Sequence, residues 1–538
     1  MTQLDDMGDL SIISALDRRA KLEPESIWVS IPKDNNDLSR GFRDISYKQF
    51  ANAVEYASAW LDGVLGSGEE RIHAIAYMGF NDLHPAIVAA AAAKTGTRLL
   101  LPFPLAPPQA KKYLIKAAGC GALLFPAPLT APMEQLLADD PQTKRIVVPT
   151  FNDWFTATPA PRFQGKSTVT SDTPWLIFHT SGTTGMPKLV TYTQRMLASL
   201  AMVDSAAIPK NRISSMSLFK NSRMHTSIPF VHLVGLVSIL PAPILHGTHL
   251  VLGPLDRPPS GETIVSLLKY GQIEGLATVP LWIRHLCNNP DGLAMLRKLK
   301  YVSWAGTSLD KISGDTLCQY TQLSPSFGTT ECGPYWTLVT EDPKDWAYYS
   351  FIDGQGIDFV EAGDGLYEFV IRKSPDAKWQ QIFMLQPELD LYRTSDLFKK
   401  HPTKPGLWLY SGRKDDMFKL DNGFQIHYTS REQAIEEDPS VKTALIGAPG
   451  QTIPFLLIEA TDPSKVNLQS IWQTIAKGNQ EYDKRATIHE DMIILADPKR
   501  PFKRSVKDTI LRKETFEMYK TEIEQSLTKH GYSWNILN

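Results

Sequence analysis

The sequence predicts an α/β protein: a large N-terminal core of several subdomains, built on parallel or mixed sheets flanked by helices, and a small α+β C-terminal domain. Three observations predict it. At 538 residues the chain is too long for one hydrophobic core and divides into two or more domains. Between Arg71 and Phe125 short apolar runs alternate with helical patterns, which yields parallel strands with helices on both faces. Beyond Gly412 the pattern changes. Val441 to Ile446 and Phe455 to Glu459 read as short strands, and Leu468 to Gln480 and Thr509 to Lys529 as helices. That is enough for a domain of roughly a hundred residues.

Composition excludes several function classes. Hydrophobic residues at 43% and charged residues at 21% are ordinary for a soluble globular chain. A net charge of -2 gives no reason to expect nucleic acid or another polyanion as partner. The four cysteines, Cys120, Cys287, Cys318 and Cys332, are widely spaced and form no Cys-x-x-Cys, so a reducing, cytoplasmic compartment is expected. Asp5, Asp6 and Asp9 replace the basic start of a signal peptide. The window from Ser227 to Leu245 is long enough to span a membrane, yet it contains Pro229, His232, Pro241 and Pro243 and reads as buried core.

Taken in order, Leu10 to Ala20 and Tyr47 to Leu61 carry apolar residues at helical spacing. Arg71 to Tyr77 reads as a strand, Pro85 to Lys94 as an alanine-rich helix, Arg98 to Pro102 as a strand, Pro107 to Ala118 as a helix and Gly121 to Phe125 as a strand. Asp139 to Lys144 and Thr156 to Lys166 are polar or proline-bearing connections. Trp175 to Phe178 is a short apolar run, hence a buried strand, and what leaves it is Thr180-Ser181-Gly182-Thr183-Thr184-Gly185-Met186-Pro187-Lys188. Clustered hydroxyls and two glycines let backbone N–H and side-chain O–H groups converge on phosphate oxygens, and Lys188 adds a positive charge. It is not a Walker A loop, since the lysine follows a proline and no Ser or Thr follows the lysine.

Further landmarks follow. Pro229-Phe230-Val231-His232-Leu233-Val234-Gly235-Leu236 is apolar around one histidine. Tyr301 to Gly306 reads as a strand entering a small-residue turn, Ala305-Gly306-Thr307-Ser308, where the backbone can approach a ligand closely. Phe327-Gly328-Thr329-Thr330-Glu331, Tyr392-Arg393-Thr394-Ser395-Asp396 and Gly412-Arg413-Lys414-Asp415-Asp416 complete the set.

Together these motifs resemble the adenylate-forming enzymes, which include acyl-CoA ligases, luciferases and the adenylation domains of nonribosomal peptide synthetases (NRPS). The resemblance covers essentially the whole chain. It implies attack of a carboxylate on the α-phosphate of ATP, giving an acyl-adenylate and pyrophosphate, then acyl transfer to a thiol. It assigns Thr180, Ser181, Gly182, Thr183, Thr184, Gly185 and Lys188 to the phosphates, and Ala305, Gly306, Phe327, Gly328, Thr329, Thr330, Asp396 and Arg413 to the rest of the nucleotide. Phe327 stacks on adenine, Asp396 holds the ribose diol, and Glu331 binds Mg²⁺, a hard cation suited to one carboxylate plus phosphate oxygens. At Ser395 the family has glycine, and a positive φ there suits serine less well.

The resemblance also implies domains: an adenylation core over residues 1–411, a hinge over 412–416 pivoting on Asp415, and a mobile lid over 417–538. Each lid orientation uses its own lysine. Lys507 serves adenylation when Thr509 and the Arg512-Lys513 pair anchor the register, with Lys503 as the rival, and Lys419 serves thiol transfer. Asp508 replaces the expected glycine beside Lys507. Phe230, Val231, His232, Gly235, Ser303, Ala305, Ser326, Pro334 and Tyr335 are the expected acyl pocket, with His232 also a catalytic candidate. Where amino-acid-activating members carry an aspartate for the α-ammonium, this chain has Val231, so an aryl or other non-amino acid is expected, benzoic-type first and α-keto second.

The segment His401-Pro402-Thr403-Lys404-Pro405-Gly406-Leu407-Trp408, with Asn422-Gly423 after it, is most similar to adenylation domains of fungal NRPS-like carboxylic acid reductases. That implies a carrier domain whose phosphopantetheine thiol accepts the acyl group, and a downstream reductase domain. The sequence contains neither a Gly-Gly-x-Ser-type carrier site nor a Gly-x-x-Gly-x-x-Gly dinucleotide loop, so the chain reads as an excised adenylation domain or a free-standing ligase. An acyl- or aryl-CoA ligase and a catalytically silent nucleotide-binding module stay open as alternatives.

Overall fold

The computed structural model describes residues 11–529 except 105, 157, 165–168, 181–186, 201–207, 364, 376–379, 415–416, 420–424, 448–453, 481–486 and 505–509. The chain forms two compact units, one comprising Met1–Leu309, Asp315–Gly356 and Arg372–Leu391, the other Asp310–Gly314, Ile357–Ile371 and Tyr392–Asn538. Among the described residues no helix is long and apolar enough to cross a membrane.

The first unit holds two mixed sheets. Its strands are β1 (Ile27–Pro32), β2 (Phe42–Ser46), β3 (Ala74–Tyr77), β4 (Arg98–Leu100), β5 (Ala122–Pro126), β6 (Lys144–Val148), β7 (Pro174–Thr180), β8 (Lys188–Thr193), β9 (Arg223–Thr226), β10 (His249–Val251), β11 (Gly275–Thr278), β12 (Tyr301–Trp304) and β13 (Gln322–Pro325). One sheet has the order β6-β5-β3-β4-β7-β8, parallel except for the antiparallel edge strand β8. The other runs β13-β12-β11-β9-β10-β1-β2, parallel except for β2. In such sheets ligands bind beyond the carboxyl ends of the strands, and the motif residues lie there.

The helices expected near the N-terminus are observed as Ile12–Leu22, Tyr47–Leu65, His84–Thr95 and Pro108–Ala117. Ser46 and Gln49 close a capping box on the second of these. The alanine-rich helix has no polar face because it needs none. Ala86 to Ala93 are all at most 3% exposed, inside a core shared with residues of both sheets. The proline-bearing window from Ser227 is mostly buried, with Val234 exposed, and contains two short helices, Leu233–Ile239 and Pro241–His246, that meet at Leu240.

In the second unit β18 (Ile357–Gly363), β19 (Leu366–Arg372), β20 (Leu391–Lys400) and β21 (Trp408–Arg413) precede a three-stranded sheet of β24 (Val441–Gly447), β25 (Phe455–Ala460) and β26 (Ile493–Leu495). The intervening strands of this numbering are β14 (Phe327–Thr329), β15 (Gly333–Tyr335), β16 (Thr337–Leu338) and β17 (Tyr348–Phe351) in the first unit, and β22 (Met417–Lys419) and β23 (Gln425–His427) in the second. Ala444, Ile446, Leu456 and Ile458 join one core with Ile471 and Ile475, while Leu445, Phe455 and Leu457 join another with Phe516, Ile523 and Leu527. Helices cover both faces, which is why these strands read as continuous apolar runs. The last helix departs from expectation. Thr509 to Lys529 divides into Arg512–Met518 and Lys520–Lys529, broken at Tyr519, whose hydroxyl donates to the Arg500 carbonyl oxygen.

Candidate active site

Trp175, Leu176, Ile177 and Phe178 are all at most 2% exposed, so the phosphate-loop motif leaves the end of a buried strand. β7 and β8 pair antiparallel with Thr180 opposite Lys188, so the motif is the connection of a β-hairpin whose base is this pair. Ser181, Gly182, Thr183, Thr184 and Gly185 lie outside the described residues. Thr180 is half-buried and Lys188 is exposed.

The other sheet delivers its motifs from neighbouring strand ends. β9 runs into Phe230 and His232, β12 into Ala305 and Gly306, and β13 into Ser326 and Phe327. The Ala305 N–H donates to the Thr278 carbonyl at 3.1 Å and the Ser326 N–H to the Trp304 carbonyl at 2.8 Å, which extends the ladder one residue past the strands. Gly306 then takes φ +102 with open space where a Cβ would stand, so glycine is required by the backbone and not by crowding. Ser303 is buried, with its hydroxyl 3.0 Å from that of Ser326.

Phe230 and Val231 are buried at 1% and 9% exposure. His232 is half-buried, and its ring stacks on Phe103 with centroids 4.9 Å apart and planes at 17°. The Phe103 N–H in turn donates to His179 Nε2 at 3.2 Å, one residue before Thr180. The Phe230–His232 segment and the Thr180–Lys188 hairpin are therefore joined through one aromatic residue. A Cβ on Gly235 would meet the Pro229 carbonyl oxygen at 2.0 Å, so the helix that starts at Leu233 packs against the segment it leaves only with glycine there.

β14 and β15 form a hairpin with Phe327 opposite Tyr335 and Gly328 opposite Pro334. The Phe327 ring stacks on Tyr335, centroids 5.9 Å apart at 27°, and meets Tyr349 and Phe351 edge-on at 5.8 Å and 6.0 Å. Tyr349 and Phe351 went unremarked in the sequence. Thr329 Oγ1 accepts from the Cys332 N–H at 3.1 Å and shapes the turn that carries Thr330 and the half-buried Glu331.

In the second unit Asp396 is buried at 4% exposure and pairs in register with Arg413. One carboxylate oxygen lies 3.6 Å from Arg413 Nη1 and 3.4 Å from the Tyr410 hydroxyl. Ser395 has φ +63, so the left-handed backbone expected of a glycine is kept by a serine. Thr394 Oγ1 donates to the Phe369 carbonyl and accepts from the Asp396 N–H, which holds the bend. Lys419 ends β22 opposite Gln425 and its side chain lies outside the described residues, as do Asp415, Asn422, Gly423 and Lys507. Residues 505–509 are flanked by an Arg504–Ile510 bridge, and Arg512 is held by Glu432 and the Ile446 carbonyl. Lys503 is exposed, with its N–H and carbonyl both bonded to Thr515 Oγ1.

The motifs from Thr180 to Glu331 fall within one family match and Lys419 and Lys507 within a second, with Asp396 and Arg413 between the two. Residues 17–362 match the AMP-binding enzyme family and residues 415–530 match its C-terminal domain. The chain is an AMP-binding enzyme. It is 29% identical over 537 residues to a carboxylic acid reductase of Neurospora crassa, covering 96% of this chain and 50% of that protein. It is 24% identical over 550 residues to an adenylate-forming reductase of Aspergillus terreus (96% and 49%), and 26% identical over 535 residues to the isocyanide synthase-NRPS hybrid crmA of Aspergillus fumigatus (96% and 33%). The chain thus spans half or less of these relatives. The AMP-binding fold also appears in an anthranilate CoA ligase, AuaEII, in complex with anthranoyl-AMP (TM-score 0.72, 15% identity, 95% of this chain and 97% of that one). ATP-bound MatB from Rhodopseudomonas palustris gives TM-score 0.73 at 15% identity, covering 96% and 100%.

Proposed function

We propose that this adenylate-forming enzyme activates an aryl or other non-amino carboxylic acid with ATP, and passes the acyl group to the phosphopantetheine thiol of a carrier domain for later reduction. The observation that carries the reading is the pocket segment. Val231 offers a buried hydrocarbon where an ammonium would need a counter-charge, beside His232 and the buried Phe230. The carrier and reductase are drawn from the carboxylic acid reductase and adenylate-forming reductases to which the chain is similar.

In this reading the Thr180–Lys188 hairpin grips phosphates, the cluster around Phe327 receives adenine, and Asp396 with Arg413 holds the ribose. Glu331 is a single hard oxygen donor of the kind that holds a Mg²⁺ already bridged by nucleotide phosphates, and that ion would offset charge on the leaving pyrophosphate. The carboxylate oxygen of the acid bonds to the α-phosphorus as the bond to the pyrophosphate oxygen breaks. Residues 412–416, pivoting on Asp415, are the proposed hinge between residues 1–411 and 417–538. Lys507 acts in the first half-reaction and Lys419 in the second.

Pyrophosphate release across a panel of aromatic, α-keto and proteinogenic amino acids tests this. Release with benzoic-type acids and none with amino acids is expected. Turnover of an amino acid with no aromatic acid accepted would overturn the substrate class. Thioester formation with free CoA in place of a carrier domain would favour a CoA ligase.

A further inference from the structure

Phe230 leaves β9 and enters no sheet ladder, so its buried backbone N–H needs a partner from elsewhere. That partner is Asn81, 149 residues away, whose Oδ1 accepts at 2.7 Å. Asn81 stands in the turn after β3, and this turn is held from several sides. A Cβ on Gly79 would lie 2.1 Å from the Tyr77 hydroxyl, so the turn closes over Tyr77 only with glycine there. Asp82 is buried and spends one carboxylate oxygen on the His84 N–H at 2.9 Å and the other on His84 Nδ1 at 2.8 Å. His84 Nε2 reaches the Pro149 carbonyl at 2.9 Å, and the ring lies edge-on to Phe151 and Trp154, each at 5.6 Å. The residue beside Asn81 is thus fixed at both carboxylate oxygens, and the imidazole that fixes it is held at both nitrogens.

We propose that Asn81 is a positioning residue for the acyl pocket: its carboxamide, aimed by the Asp82–His84 clamp, sets where Phe230, Val231 and His232 stand. The proposal rests on the acid-activation reading for what the pocket binds, but the positioning is a property of this chain alone. Asn81 Oδ1 replaces the ladder partner that the segment lacks. The hydrogen bond Asn81 makes goes to Phe230 of the pocket segment, so Asn81 is a determinant of acid binding.

The test uses the full chain. Asn81→Ala is expected to raise the KM for the carboxylic acid roughly tenfold while the KM for ATP stays within about twofold, since only the pocket segment loses its anchor. Hydrogen–deuterium exchange gives a readout independent of activity. Peptides covering Phe230 to His232 should lose protection in Asn81→Ala and regain it in the isosteric Asn81→Asp, with peptides covering Trp175 to Phe178 unchanged in both. An Asn81→Ala protein with an unaltered KM for the acid, an equal rise in both KM values, or unaltered exchange at Phe230 would overturn the proposal. So would failure of Asn81→Asp to restore protection. A wild-type chain inert toward every acid would sink the functional reading instead, and the exchange arm would still decide the positioning.

Discussion

The Tyr192 hydroxyl donates to the Thr330 carbonyl oxygen at 3.0 Å, tying the strand that leaves the Thr180–Lys188 hairpin to the turn that carries Glu331. Tyr192 is buried, and burial first, then the charges of Cys332 and Glu331, hold its phenol far above the usual tyrosine range, so it is a permanent donor. Two motifs separated by 138 residues are thereby set in one frame. Tyr192→Phe keeps the ring and deletes the bond. It should cost about 1 kcal/mol of stability and lower adenylation about fivefold, chiefly through the KM for ATP. Thermal unfolding and ATP-dependent pyrophosphate exchange measure the two effects, and a loss of stability with unchanged KM would confine Tyr192 to packing.

Ser395 offers a gain instead of a loss. At φ +63 an L-residue is strained by roughly 1–2 kcal/mol, whereas glycine is not, although glycine surrenders more chain entropy on folding. The balance favours Ser395→Gly by about 1 kcal/mol, and Ser395→Val, β-branched at the same φ, should destabilise. Denaturant midpoints for the two variants check the sign. A Ser395→Gly protein no more stable than the parent would mean that the Thr394 bonds already absorb the strain.

Ser395 also shows what was legible in the sequence. Its departure from the glycine of the resembled family marked a backbone requirement, and the positive φ is observed. The helices over Tyr47–Leu65 and His84–Thr95, the buried strand before Thr180 and the two strands of the C-terminal sheet were legible because their periodicity is local. The return of Lys188–Thr193 as an antiparallel strand was not, because its alternation rests on Val190 and Tyr192 alone. Tyr519, at which the last helix breaks, is itself compatible with a helix, and its bond to Arg500 lies outside any local pattern. Asn81 and Phe230 carry no mutual signal at all, since a hydrogen bond across 149 residues leaves no pattern in either segment.

Acid sensitivity follows from His225. Its Nδ1 donates to the Val251 carbonyl at 2.8 Å, and burial pushes the imidazole down to about 4, with that hydrogen bond only partly opposing. The folded state keeps it neutral while the unfolded chain takes up a proton near the ordinary value of 6.5. Stability is therefore full above that value and is lost as pH falls toward 4, by about 2 kcal/mol between pH 7 and 5. His249, lowered to about 4 by burial and then by Arg223, acts in the same direction. His84 opposes them: burial lowers it, but the Asp82 hydrogen bond and charge prevail and raise it, so its contribution is present at low pH and fades as pH rises. Unfolding midpoints at pH 7 and 5 should differ less in His225→Gln than in the parent, and an unchanged difference would exclude His225 as a source.

The loop between Arg504 and Ile510 separates the two candidate lysines. Lys503 has its backbone N–H bonded to Thr515 Oγ1 and its carbonyl accepting from the Leu511 N–H at 2.8 Å, so its main chain belongs to the packed body of the second unit. Lys507 falls between Arg504 and Ile510, which form a bridge, and itself lies outside the described residues. Arg512, an anchor of the register that selects Lys507, is held by Glu432 and the Ile446 carbonyl. Charge builds on the leaving pyrophosphate only during adenylation, so Lys507→Ala should lower acid-dependent pyrophosphate release roughly 10²–10³-fold while leaving thiolysis of supplied acyl-adenylate nearly intact. Lys419→Ala should show the inverse, with transfer to the thiol suffering more. Half-reactions measured separately for Lys507→Ala, Lys503→Ala and Lys419→Ala decide the assignment, and the adenylation defect appearing in Lys503→Ala instead would shift the register by one helical turn.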